Sequence, residues 1–219
     1  MCKMVVIDVE MCRVKIRSGR FPLKNEIIQI GAVMLDEAYH TVDEFSTYVR
    51  PEYGKVDNFI AGLTGISERD TRRAPFFADA IGALMDWIGG EDTMFYAWSD
   101  SDYCQIRNEA RRKLSDTASL AHILNKEQWI DYQKVVDVRF DSGRQLGLSE
   151  ALELAEVNVK GRMHDGLDDA RNTAGLIAKL ELHPEFKPVA ERLHQVDKLD
   201  RAPLSTSLAG LLQGLVMAG

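Results

Sequence analysis

The sequence predicts an α/β fold with a mixed central sheet of about five strands flanked by helices. Three observations carry this. Three apolar, strand-like runs follow one another before residue 50, helical periodicity dominates afterwards, and two further strand candidates, Thr93–Trp98 and Trp129–Tyr132, lie among helices.

Met4–Val9 is apolar on both faces, with Val5, Ile7 and Val9 alternating against Met4 and Val6, as suits a central strand covered on both sides. Glu26–Leu35 and Thr41–Val49 are two more strand-like runs joined by the polar turn Asp36–His40, so the first three strands read as an antiparallel meander. Thr64–Thr71 reads as a turn and a short helix. Pro75–Ile88 repeats apolar residues at Phe77, Ile81, Leu84, Met85 and Ile88, close to a 3.6 period, and Gly89-Gly90 stops it.

After the fourth strand a helix runs from about Ser101 to Leu114. Leu120–Val138 fits no single pattern, and Trp129–Tyr132 is read as a short strand flanked by helices. Ser149 is expected to cap a helix ending near Glu156, and the last long helix spans about Leu167–Leu182, ended by Pro184. No repeat or low-complexity linker divides residues 1–183, which read as one domain. Residues 184–219 form a C-terminal extension. There Leu204, Leu208, Leu211, Leu212, Leu215 and Val216 make a helical stripe that Ser205 or Ser207 would cap, packed on its own domain or shared in a homodimer.

The 219 residues are 45% hydrophobic and 28% charged, a profile that excludes disorder and collagen-like repeats. No apolar run reaches the roughly 18 residues of a membrane span, because Asp8 and Glu10 interrupt the first one, so no membrane partner is expected. The start MCKMVVID lacks the order of a signal peptide, and Cys2, Cys12 and Cys104 are too scattered for a disulfide framework or a zinc site. A cytoplasmic protein with reduced thiols is the expectation. The net charge of −7 argues against nucleic-acid binding through bulk positive charge, but it suits acidic residues that hold metal ions which in turn meet phosphate.

Three carboxylate clusters stand out. Asp8 and Glu10 are two residues apart at the expected C-terminal end of the first strand, so both point to one face, above Met4 and Val6. Either a divalent cation neutralises the pair, or the strand ends at Val9 and both acids are solvated. The second cluster, Trp98-Ser99-Asp100-Ser101-Asp102, opens a helix. Asp100 suits a helix cap, whereas Asp102 shares a face with Ile106 and either tilts towards Asp8 or stays solvated. In the third cluster, His164–Asn172, Asp169 leads an inward row with Thr173, Leu176 and Leu180. Asp168 leads a solvated row with Arg171, Asn172, Gly175 and Lys179. His164 would stand about 140° from Asp169 on a continuous helix, so the two share a site only if His164 sits in a preceding loop, which Gly161 and Gly166 permit.

Taken together, VVIDVE, WSDSD and HDGLDDARNTA resemble the three exonuclease motifs of the DEDDh class of 3′-to-5′ exonucleases, the DnaQ-like branch of the ribonuclease H-like fold. NEIIQIGAVMLD resembles the family's second strand, FIAGLTGISERD its substrate-side turn, and GLSEALELAEVNVKGRMHDGLDDA the helix and loop before the third motif. The resemblance covers about residues 3 to 182. Met11-Cys12 after the DxE and the tryptophan before the second motif are similar to the ERI-1 and KapD-like subgroup. The sister class has a tyrosine in place of the histidine, and none lies between Gly161 and Gly175.

The resemblance implies Asp8, Glu10, Asp102 and Asp169 as metal-holding acids and His164 as general base. It implies two divalent cations, Mg²⁺ or Mn²⁺, roughly 3.5 to 4 Å apart. It also implies hydrolysis at single-stranded RNA or DNA 3′ ends, with RNA favoured, releasing nucleoside 5′-monophosphates. Met11, Cys12, Leu63, Thr64 and Gly65 correspond to substrate-contacting positions. Two departures stand out: Asp100 competes with Asp102 for the second motif, and Asp165 is an acid where the family usually has a small or basic residue. Between Met11 and Asn25, Arg13, Lys15, Arg17, Arg20 and Lys24 occur with no acid, either to guide the strand or as a solvated loop. Arg107, Arg111, Arg112 and Lys113 form a weaker basic cluster. The alternatives are an inactive nucleic-acid-binding or regulatory adaptor on the same fold, and, less well supported, a phosphotransferase.

Overall fold

The computed structural model describes residues 3–14, 24–90 and 93–188. Its sheet has five strands: β1 Lys3–Arg13, β2 Asn25–Leu35, β3 Thr41–Tyr48, β4 Thr93–Ala97 and β5 Trp129–Asp131. Their order is β3-β2-β1-β4-β5. The β1–β2 and β2–β3 pairs are antiparallel, and the β1–β4 and β4–β5 pairs parallel. The expected meander and the central position of the first strand are both present.

β1 runs four residues past the expected stop at Val9. It continues because Met11, Cys12 and Arg13 still pair with Ile27, Glu26 and Asn25 of β2, after a register slip between Glu10 and Met11. What stops early is the β4 ladder, whose last partner pair is Val6 with Tyr96. Asp8 and Glu10 therefore lie in mid-strand, at the place where β1 has lost its β4 neighbour and the sheet opens.

Among the described residues, seven α-helices surround the sheet: α1 Asn58–Thr64, α2 Glu68–Thr71, α3 Phe77–Ile88, α4 Asp100–Lys113, α5 Tyr132–Phe140, α6 Leu148–Leu154 and α7 Gly166–Leu182. Val5, Ile7 and Val9 pack with Phe77, Ile81, Leu84 and Ile106, so α3 and α4 cover that face. α7 covers the opposite face, where Asp8 and its register partner Gly31 lie. A Cβ at Gly31 would fall 2.1 Å from the Gly166 carbonyl carbon, so only glycine lets the start of α7 approach β2 this closely.

Several boundaries differ from the sequence expectation, each for a local reason. α1 precedes the expected turn: Asp57 caps it by accepting from the Ile60 amide, and Gly65, at φ 75°, ends it. The cap of α4 is Ser99 rather than Asp100, whose carboxylate pairs with Lys126 instead. Gly147, not Ser149, precedes α6, which ends at Leu154. Asn172 is buried rather than solvated, because its side chain accepts from the Lys160 amide and donates to the Lys160 carbonyl. The expected helix at Leu204–Val216, with the dimer contact it would share, and most of the basic segment after Arg13 lie outside the described residues.

Candidate active site

β1, the start of α4 and the start of α7 converge on one open cleft of about 660 Å³, lined by Asp8, Glu10, Asp102, His164 and Asp169 together with Met11, Trp98 and Ser149. Each acid arrives by a separate piece of local structure. Alternation along β1 puts Asp8 and Glu10 on the α7 face. Asp102, in the first turn of α4, accepts from the Val9 amide at 3.1 Å, which satisfies a β1 donor beyond the end of the β4 ladder. Asp169, in the first turn of α7, is buried, as its inward row requires.

His164 sits in the turn before α7, at φ 64°, a left-handed conformation that a non-glycine residue holds only where its surroundings fix it. Its backbone N–H donates to Asp169 Oδ2 at 2.8 Å. One ligand-capable atom from each of Glu10, His164 and Asp169 lies within 4.8 Å of the others. The loop geometry that the motif spacing demands is therefore present.

Asp165 has a structural task. It caps α7 by accepting from the Leu167 and Asp168 amides at 3.1 and 3.2 Å, and it accepts from Gln29 Nε2 at 3.1 Å. Gln29 also accepts the Gly166 amide at 2.9 Å. This buried β2 side chain thus anchors the helix start that carries Asp169.

The electrostatics call for cations. Burial, then the neighbouring carboxylates of Asp102, Asp169 and Glu10, hold the Asp8 carboxyl well above the usual carboxylate range. Burial and then Asp169 and Asp102 push Glu10 up to about 8, and burial pushes Asp102 up to about 7. Asp169 is raised by burial despite the opposing His164 amide. Among the described residues, no lysine or arginine lines the cleft, and no hydrogen-bond partner meets the buried Asp169 Oδ1. Four carboxylates and an orphaned oxygen fit hard divalent cations with all-oxygen preferences.

The residues expected on the substrate side divide. Met11 lines the cleft, whereas Cys12 is fully buried behind it with Ile28, Ile60 and Ile66 and does not reach it. Leu63 is exposed, Thr64 is buried with its hydroxyl on the Ile60 carbonyl, and Gly65 ends α1; none of the three lines the cleft. Asp100 is also outside it, so the second-motif acid in the cleft is Asp102. Leu148 and Met163, which no sequence pattern marks, and Ser149, expected only as a helix cap, reach the cleft through tertiary packing of α6 and the His164 loop.

Comparison with known proteins agrees with this architecture. A family model described as exonuclease, of the RNase T type, matches residues 5–177, and the chain belongs to that family. Among curated relatives, it is 28% identical over 170 residues to 3′-5′ exoribonuclease 1 of Mus musculus, covering 71% of this chain and 47% of the relative. It is 31% identical to ERI1 exoribonuclease 2 of Xenopus laevis, covering 71% of this chain and 25% of the relative. The chain thus spans about half, or less, of the length of these relatives. Among solved structures, the nuclease domain of 3′hExo, a DEDDh family member bound to rAMP, superposes with a TM-score of 0.66 at 22% identity, covering 83% of this chain and 92% of that one. Cell-death related nuclease 4 gives a TM-score of 0.68 at 19% identity, covering 83% and 64%. The fold is ribonuclease H-like, and the family resemblance is to DEDDh exonucleases of the ERI1 type.

Proposed function

We propose that the chain is a 3′-to-5′ exoribonuclease that hydrolyses the terminal phosphodiester of single-stranded RNA and releases nucleoside 5′-monophosphates. The observation that carries this reading is the convergence of Asp8, Glu10, Asp102, Asp169 and His164 from distant segments on one cleft. The filled positions also weigh against an inactive adaptor. The exoribonuclease names of the curated relatives support RNA as the substrate.

Asp8, Glu10, Asp102 and Asp169 would hold two divalent cations, Mg²⁺ or Mn²⁺. Bound there, such ions lower the pKa of water and stabilise charge on a leaving oxygen. His164, presented by its loop at the mouth of the carboxylate cluster, takes the proton from the attacking water. The water oxygen bonds to phosphorus as the bond to the penultimate nucleotide's 3′ oxygen breaks, and that oxygen leaves with a proton from solvent. Met11 and Trp98 offer apolar surface in the cleft against which a base can pack. Residues 1–183 are the proposed exonuclease domain, acting in the cytoplasm.

The test is to incubate matched 5′-labelled single-stranded RNA and DNA with Mg²⁺ or Mn²⁺. A ladder shortening from the 3′ end, faster on RNA and absent for Asp8→Ala, is expected. Internal cleavage, or shortening from a blocked 3′ end, would contradict the reading.

A further inference from the structure

The His164 loop is held from two sides. On the α7 side, Asp168 Oδ2 accepts the Arg162 amide at 2.8 Å, and Asp169 accepts the His164 amide. On the other side, the Arg162 guanidinium reaches across to α1, where Nη2 donates to the Gly62 carbonyl at 2.9 Å and the Leu63 carbonyl at 3.2 Å. These carbonyls belong to the last turn of α1, where intrahelical donors run out.

The fit around this bridge is tight. A Cβ at Gly65 would lie 1.9 Å from Arg162 Nη1, and one at Gly161 would lie 2.0 Å from Asp168 Oδ2; both glycines have positive φ, 75° and 64°. The chain thus uses glycine at two points to admit the Arg162 guanidinium and the Asp168 carboxylate. In the chain, His164, itself left-handed, lies between Arg162 and Asp168, next to Met163 in the cleft wall.

We propose that Arg162 is a positioning residue for His164: its guanidinium fastens the loop to the end of α1 and so holds the imidazole over the carboxylate cluster. This rests on the exonuclease reading above. Asp168 completes the tether by accepting from Arg171, which also pairs with Glu44 on β3. Removing the guanidinium leaves both backbone tethers in place, so the fold should persist while the loop gains freedom on one side.

The test combines a kinetic cycle with a spectroscopic one on the full chain. Arg162→Ala should lower kcat by roughly 10- to 10²-fold, the effect of a small misplacement of a reacting group, with KM little changed. Arg162→Lys should recover part of this, since an ammonium reaches a carbonyl without the planar fork that spans two. In a His164→Ala background, Arg162→Ala should cost nothing further, because the group it positions is gone. In the metal-free protein, the His164 ring resonances, identified by their loss in His164→Ala, should shift or broaden in Arg162→Ala. A full loss from Arg162→Ala in the His164→Ala background, a change in KM alone, or an unmoved His164 ring would overturn the proposal. If the wild type degrades no nucleic acid, the exonuclease reading fails, while the ring resonances still decide the role of Arg162.

Discussion

The backbone N–H of His164 donates to Asp169 Oδ2 at 2.8 Å, so one oxygen of the third-motif acid fixes the histidine loop while the other, Oδ1, stays buried with no partner among the described residues. A single carboxylate thereby joins the position of His164 to the carboxylate cluster. The five-residue separation that looks wrong on a helix becomes right, because α7 starts only at Gly166.

His164 is expected to matter through its imidazole and not through the fold. His164→Ala should lose on the order of 10² to 10⁴ in kcat, the usual contribution of positioned proton transfer. The dependence of kcat on pH should change with it, since proton transfer from the water is lost. His164→Gly should be as slow yet no less stable, since glycine adopts φ 64° without strain. Thermal melts of the three proteins beside the pH profiles check both parts.

Asp8→Ala should abolish turnover and leave the fold intact. Removing the carboxylate that faces Asp102, Asp169 and Glu10 relieves repulsion, so the metal-free variant should melt at or above the wild type at pH 8. It should also lose most of the rise in melting temperature that Mn²⁺ is expected to give the wild type.

The metal-free wild type should lose stability as pH rises. Folding raises the carboxyl groups of Glu10 and Asp102 to about 8 and about 7, so the folded chain binds protons more tightly than the unfolded one. That contribution is fully present below the unfolded carboxyl range near ~4, and it is lost as pH passes through the folded values. Melts in EDTA between pH 5 and 9 should therefore fall, and Mg²⁺ or Mn²⁺ should restore more at pH 8 than at pH 5. An EDTA melting temperature that climbs across this range would show that the acids are not packed as described.

Much of this site is legible in the sequence, and the failures have physical causes. The inward row of Asp169, Thr173, Leu176 and Leu180 depends only on helical period, and all four are buried. The extent of β1 was missed because Met11–Arg13 is held by β2 pairing, a nonlocal fact. α1 was missed because a seven-residue helix carries too little periodicity, and its ends are set by Asp57 and Gly65. Asn172 read as solvated because its partner, the Lys160 backbone, comes from a loop that no periodicity reveals.

A buried ionic cluster behind the site was equally invisible, since it joins residues far apart in sequence. Lys113 Nζ lies 2.7 Å from both Glu26 Oε1 and Glu109 Oε2, and all three side chains are almost fully buried. Glu26 also accepts from the Glu52 and Tyr53 amides at 3.0 and 2.8 Å, tying the loop before α1 to β2. Lys113→Met should leave two buried carboxylates without their cation and cost about 3–5 kcal/mol. Urea unfolding of the variant measures this directly.

Gly31→Ala should be costly for a residue so small. Its Cβ would meet the Gly166 backbone and push the start of α7 away from Asp8. Overpacking of this kind costs about 1–3 kcal/mol, and here it should also lower metal affinity, because Asp169 moves with the helix. Isothermal titration with Mn²⁺, alongside denaturant melts, separates the two effects.

The most direct test of the central claim is to run the reaction on single-stranded RNA in ¹⁸O-labelled water with Mg²⁺ or Mn²⁺ and to weigh the products. Hydrolysis from the 3′ end by water that His164 deprotonates predicts nucleoside 5′-monophosphates, each carrying one solvent oxygen on phosphorus, with no release in EDTA or from Asp169→Asn. Products ending in a 3′-phosphate or a 2′,3′-cyclic phosphate, or undiminished release in EDTA, would contradict it.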